Sequence, residues 1–213
     1  MKLYSDTVTK LLWNTLTKLM STDVFNSFRL VGGTSLSLQL GHKESVDIDL
    51  FTDSEYGSID FPLLESKLVK IFTYVDSPVI DVVGTGQSYF IGNNENDSVK
   101  LDLYYTEPFV FPCIVEQNIR FASINEVVAM KLETIAGGGR KKDFWDIHEL
   151  LNVYSMDEMI DFYLLRYPYG LSKDKLLQKV VDFSLAEDDF TPNCYKGKVW
   201  ELIKLDLVNE VHK

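Results

Sequence analysis

Asp47 and Asp49 stand two residues apart in Val46-Asp47-Ile48-Asp49-Leu50-Phe51, where apolar and acidic residues alternate as in a strand with one buried face. On such a strand Ile48 and Leu50 point inward and both carboxylates project together, able to reach one hard cation or a close pair. Lys100-Leu101-Asp102-Leu103-Tyr104 repeats the alternation and offers a third carboxylate from another strand. A few carboxylates completed by substrate phosphates are what Mg²⁺ or Mn²⁺ needs for phosphoryl transfer, in which two ions about 3.5–4 Å apart can stabilise the attacking and leaving oxygens. A bare D-x-D also fits two solvated aspartates on an exposed strand, so its surroundings decide its meaning.

Upstream, Phe28 to Val31 is a short β-favouring run that halts at Gly32-Gly33. Thr34 or Ser35 is then placed to cap a helix over about residues 35–41, which Gly41 ends. Glycines allow a tight turn and close backbone approach, and the unsatisfied N–H groups of a helix start favour an anion, so this step resembles a phosphate cradle with Thr34 and Ser35 as extra hydroxyl donors. A plain strand-to-helix turn requiring positive φ has the same appearance.

The elements that must position these groups follow from periodicity. Val8, Leu11, Leu12, Leu16 and Leu19 predict an amphipathic helix over residues 5–20, and Phe61, Leu64, Leu68 and Ile71 another over 60–72, with Pro62 in its first turn. Strands are expected at 79–83, 88–91 and 99–105, separated by glycines and a polar turn. Near residue 121 the character changes. Ser123-x-x-Glu126 is a capping-box pattern that predicts a helix over 124–136, stopped by Gly137-Gly138-Gly139. Further helices are expected through Phe144 to Leu151 and around 156–166, 173–184 and 196–210. The expectation is an α+β chain: a mixed sheet flanked by helices over residues 1–120, then a mostly helical part over 121–213 packed against it.

Composition bounds the function. The 213 residues are 46% hydrophobic and 25% charged, enough to bury a substantial core. A net charge of -11 argues against coating nucleic acid by bulk electrostatics, although a local basic groove and carboxylates neutralised by cations remain compatible with it. No apolar run approaches the ~18 residues of a membrane span and the first residues lack a secretory pattern, which predicts a soluble, cytoplasmic protein. Cys113 and Cys194 are far apart and read as two buried thiols. His42, His148 and His212 lack a metal-ligand spacing, and the Tyr104, Tyr105, Phe109 and Phe111 cluster reads as packing.

Taken as a unit, LVGGTSLSLQLGHKESVDIDLF resembles the minimal nucleotidyltransferases of the AbiEii/AbiGii toxin family, within the DNA polymerase β-like nucleotidyltransferase superfamily. Gly32, Gly33, Thr34, Asp47 and Asp49 fill the positions of its glycine pair and D-x-D. Lys43 stands where the family often has Arg, which retains the charge but forfeits bidentate geometry. A second block, INEVVAMKLETIAGGGRKKDFWDIHEL, resembles the family's lysine helix and the following R-x-K-D-x-x-D motif, matching Lys131, then Arg140, Lys142, Asp143 and Asp146. The two blocks sample residues 30–151.

The resemblance implies a metal-dependent transfer of a nucleoside monophosphate from a nucleoside triphosphate to an acceptor hydroxyl, with tRNA or another RNA as acceptor and a cognate antitoxin protein as partner. Asp47 and Asp49 would hold the metal. Asp102 would complete the site and help deprotonate the acceptor, the Gly32–Ser35 turn would hold the β- and γ-phosphates, and Lys131 would offset the charge of pyrophosphate. Arg140 and Lys142 read as a phosphate landing site or an exposed turn, and Asp143 and Asp146 as site residues or as charges complementing the next helix start. A non-catalytic nucleotide sensor on the same fold and a metal-dependent phosphohydrolase are the alternatives.

Overall fold

A computed structural model describes residues 2–77 and 84–213, so the strand expected at 79–83 lies outside the described residues. The predicted first helix divides. Ser5–Thr7 forms a 3-10 turn, Val8 bridges to Ser45, and α1 (Lys10–Met20) starts only where the Thr9 side chain accepts from the Leu12 N–H. The short strand β1 (Arg29–Leu30) then leads into α2 (Gly32–Leu40). This helix begins three residues before the expected start, because Gly32 takes φ +69° and turns the chain directly out of the extended Val31. Gly41, at φ +65°, closes it by donating to the Ser37 carbonyl at 2.9 Å.

The remaining sheet strands are β2 (Asp47–Thr52), β3 (Tyr74–Asp76), β4 (Gly86–Asn94), β5 (Asp97–Tyr105), β6 (Cys113–Glu116) and β7 (Ile119–Ala122), with α3 (Phe61–Ile71) between β2 and β3. They form one mixed seven-stranded sheet in the order β3-β4-β5-β2-β1-β7-β6. At its centre β2 and β5 pair in parallel, with Asp47 opposite Lys100 and Asp49 opposite Asp102. The alternation seen in the sequence is realised: Ile48, Leu50, Leu101 and Leu103 are buried, and α1 and α3 cover that face through Leu12, Leu16, Leu64 and Leu68. The acidic face is left for the rest of the chain to close over.

That closure comes from α4 (Ile124–Ala136), α5 (Lys141–Leu150), α6 (Met156–Arg166), α7 (Lys173–Val180) and α8 (Trp200–Val211), which share a second apolar cluster with Val31 and Leu36. Trp145 of α5 stacks on Trp200 of α8, with ring centroids 6.1 Å apart. The last two helices are shorter than their apolar periodicity suggests, α7 ending at Val180 and α8 starting at Trp200. Ser123 caps α4 by accepting from the Glu126 N–H, as expected, but the Glu126 side chain does not return to Ser123. It pairs with Arg166 and accepts from the Phe111 N–H at 2.7 Å. The cysteines differ from expectation too: Cys113, at the start of the strand β6 that ends the sheet, is exposed, and Cys194 is half-buried. Among the described residues no helix is long and apolar enough to cross a membrane.

Candidate active site

Two adjoining clefts open over the acidic face of β2. The first, about 460 Å³, runs from Gly32, Gly33 and Asp49 along α4, where Met130 and Lys131 face it, to Tyr105–Glu107 and Tyr167. The second, about 270 Å³, lies between Lys43–Asp49 and the segment Asp189–Asn193. Gly33, Asp49, Arg140 and Lys142 line both; Asp47 lines only the second.

Asp49 is the junction. Its carboxylate has no hydrogen-bond or ion-pair partner among the described residues, and its pKa is pushed up to about 6 by burial, then by the charge of Asp102 and, more weakly, of Asp47. The carboxylate lies against the Cα of Gly32, where any Cβ would collide with Oδ2. Asp47 likewise has no side-chain partner among the described residues. Two carboxylates projecting from one strand face without protein cations of their own suit a hard divalent cation.

Asp102 is in register with Asp49 but is otherwise engaged. Lys100 Nζ donates to its Oδ2 at 2.6 Å and the Ser88 hydroxyl to its Oδ1 at 2.6 Å, and it lines neither cleft. Among the described residues no three His, Cys, Asp or Glu side chains are gathered as a ready cation site. The expected trio therefore shares a face while only Asp47 and Asp49 are free. The reason is local, since Lys100 sits two residues from Asp102 on the same strand face.

The glycine turn also differs in detail from the expected cradle. Thr34 is buried, with its hydroxyl on Ser45 Oγ (2.7 Å) and on the Asp47 carbonyl, so it ties the start of α2 to β2. Ser35 is fully buried, its hydroxyl accepting from Gln39 Nε2 at 3.0 Å. Neither hydroxyl lines a cleft; what the turn presents is backbone, the first N–H groups of α2, which have no carbonyl within the helix to reach.

Behind the turn is a buried ionic cluster. Asp146, fully buried on α5, lies 2.8 Å from Lys131 Nζ, 3.3 Å from Lys43 Nζ and 2.7 Å from His42 Nε2. Burial opposes its ionisation, but the two ammonium groups and His42 hold its pKa far below the usual carboxylate range. Burial would likewise depress Lys131, yet Asp146 and Asp143 keep it above the ordinary lysine value. For Lys43 burial prevails and its pKa is lowered. Asp143 has two tasks: Oδ1 accepts from Lys131 at 2.6 Å, and Oδ2 caps α5 by accepting from the Arg140 N–H at 2.9 Å. Arg140 is held through a fork to Asp189, Nε at 3.2 Å and Nη2 at 3.1 Å. Lys142, half-buried between the clefts, has no carboxylate partner among the described residues.

Sequence reasoning missed His42, Glu126, Arg166 and the 189–193 segment. His42 lacks a metal spacing, and its partner is 104 positions away. Glu126 carries a local capping pattern that conceals its long-range pairing. No periodicity marks residues 189–193.

The family model of the nucleotidyltransferase AbiEii toxin of type IV toxin–antitoxin systems matches residues 15–191. The chain belongs to the AbiEii family. An uncharacterised protein of Aquifex aeolicus is 29% identical over 150 residues, covering 67% of this chain and 66% of that protein, so the chain spans just under two thirds of the length of this relative. The same fold occurs in MenT4, a nucleotidyltransferase toxin of Mycobacterium tuberculosis, with a TM-score of 0.62 and 14% identity over 95% of this chain and 82% of that one. It also occurs in JHP933 from Helicobacter pylori, with a TM-score of 0.57 and 19% identity over 99% and 92% of the two chains. The AbiEii match covers both blocks that carry the resemblance in the sequence, the glycine pair with D-x-D and the Lys131 to Asp146 stretch.

Proposed function

We propose that this AbiEii-family protein transfers a nucleoside monophosphate from a nucleoside triphosphate to an acceptor hydroxyl, with RNA as the acceptor class. The observation that carries the reading is the unpartnered carboxylate of Asp49 at the meeting point of two clefts, because a transferase needs two substrates at one reacting centre. The first cleft suits the triphosphate. The backbone N–H groups at the Gly32-Gly33 helix start would favour an anion there, and Lys142, which has no carboxylate partner among the described residues, lines the same cleft. Lys131 lines the same cleft, held in place by Asp143 and Asp146, and would reach a phosphate only by sharing its charge with them.

Asp47 and Asp49 would hold a divalent cation, Mg²⁺ or Mn²⁺, with Asp102 joining when released from Lys100. When bound, the cation would neutralise charge accumulating on the phosphates. Asp47 faces only the second cleft, so it would hold the cation on the acceptor side. The family description supports an antitoxin protein as a cognate partner.

The test is incubation of the pure protein with Mg²⁺ or Mn²⁺, each labelled triphosphate and total cell RNA. Label should become RNA-bound and vanish with EDTA or in Asp49→Asn, whose melting temperature should match or exceed that of the parent because a buried charge is removed. Full activity in Asp49→Asn would overturn the site. Nucleotide released without any macromolecule would instead identify a hydrolase, and binding without turnover a sensor.

A further inference from the structure

The second cleft has a wall with no counterpart in the first. Residues 189–193 form a strap between α7 and α8 that is pinned at both ends. At one end Asp189 accepts the Arg140 fork and the Lys141 N–H, the latter at 3.1 Å. At the other, the Glu44 N–H donates to the Asn193 carbonyl at 2.9 Å, Asn193 Nδ2 donates to Glu44 Oε2 at 3.0 Å, and Lys43 bridges to Cys194. Between these anchors Phe190 lines the cleft and is 89% exposed, with no ring partner among the described residues. A large apolar ring on fixed backbone at the edge of the Asp47–Asp49 site is left free to cover a planar group.

We propose that this cleft is the acceptor subsite and that Phe190 is the platform on which the terminal nucleoside of a single-stranded RNA end stacks. The proposal rests on the nucleotidyltransferase reading and adds the acceptor's position and mode of recognition. With the terminal base on Phe190, its ribose lies toward Asp47. The ribose hydroxyl oxygen forms a bond to the α-phosphorus of the triphosphate in the first cleft. The bond from that phosphorus to the bridging oxygen breaks, its electron pair leaves with pyrophosphate, and the hydroxyl proton leaves to solvent through the open second cleft. Capture by stacking also suits a chain of net charge -11, whose acidic residues outnumber its basic ones and disfavour tracking a long phosphate backbone. Lys142 is the unpaired cation at this cleft among the described residues.

The probe is a twelve-nucleotide single-stranded RNA ending in 3′-terminal 2-aminopurine riboside, titrated against the full chain without triphosphate and read by fluorescence. Quenching is expected with the parent, affinity about tenfold weaker in Phe190→Ala, and parent-like affinity in Phe190→Trp. The salt dependence should correspond to about one or two neutralised phosphates. Equal affinity in parent and Phe190→Ala overturns the proposal. So does labelling of protein hydroxyls by a chain that leaves the oligonucleotide unbound. Calorimetric titration of each triphosphate into parent and Phe190→Ala separates the two readings. Failure of the parent to bind any triphosphate removes the transferase assignment, whereas unchanged triphosphate affinity beside lost oligonucleotide binding localises the defect to the second cleft.

Discussion

Asp146 and Lys131 face each other at 2.8 Å in a part of the protein closed to solvent, and the same carboxylate also meets Lys43 and His42. One side chain of α5 thus fixes the helix that walls the first cleft and the loop that floors the second.

Asp146→Asn keeps the shape and a hydrogen bond to His42 but leaves Lys43 without a carboxylate and Lys131 with Asp143 alone. Removing one partner of a buried ionic cluster costs about 3–5 kcal/mol, and urea unfolding should show a loss of that size. A change below about 1 kcal/mol would mean that the cluster relaxes or admits water.

Gly32 and Gly33 should respond differently to alanine. At Gly32 the backbone has φ +69° and a Cβ would strike the Asp49 carboxylate, so Gly32→Ala should cost about 1–2 kcal/mol in stability and most of the activity. At Gly33 a Cβ meets Lys43 Nζ at 3.2 Å and Ser45 Oγ at 3.6 Å, contacts that a small shift can absorb. Melting curves and triphosphate titrations on the two variants check this order; equal effects would contradict it.

Lys100 competes for Asp102. Since the lysine is partly exposed, its pair with Asp102 contributes about 1 kcal/mol or less, and Lys100→Met should tighten divalent cation binding by up to about fivefold. Mn²⁺ titration followed by electron paramagnetic resonance reads this directly. An unchanged affinity would remove Asp102 from the cation site.

Glu126 and Arg166 are both fully buried, and Arg166 also donates to the Pro108 carbonyl at 3.1 Å and the Thr106 hydroxyl at 2.8 Å. The pair therefore holds the chain that leaves β5 against α4 and α6. Arg166→Met should destabilise by about 3–5 kcal/mol, with part of the loss recovered in Arg166→Met/Glu126→Leu once no charge is left alone. Additive losses in urea unfolding would deny the coupling.

These relationships divide by range. The α4 helix was legible to the residue, because Ser123 starts it and three glycines stop it within the same stretch of chain. The shared face of Asp47, Asp49 and Asp102 was legible from alternation alone. The same alternation puts Lys100 on the face of Asp102, but that the two pair, and that Ser88 of β4 joins them, follows only from the folded sheet. The burial of Thr34 and Ser35 depends on β2 passing beneath α2, and the His42–Asp146 contact on α5 returning from 104 residues away. Neither leaves a local pattern, since a polar residue satisfied by a distant partner looks in sequence like one that faces water.

The parallel pairing of β2 with β5 places the described residues from Asp53 to Asn96 outside the two strands that carry the acids. The alignment of Asp49 with Asp102 is set by the ladder between them, while α3 and β4 in that excursion support it, through Leu64 and Leu68 in the core and Ser88 on Asp102. Of β3 and β4 only β3 lies at the edge of the sheet, whereas β4 pairs with β5 and holds Asp102 through Ser88, so insertion or tagging should be tolerated at the exposed turn of Glu95 and Asn96 and not within β4.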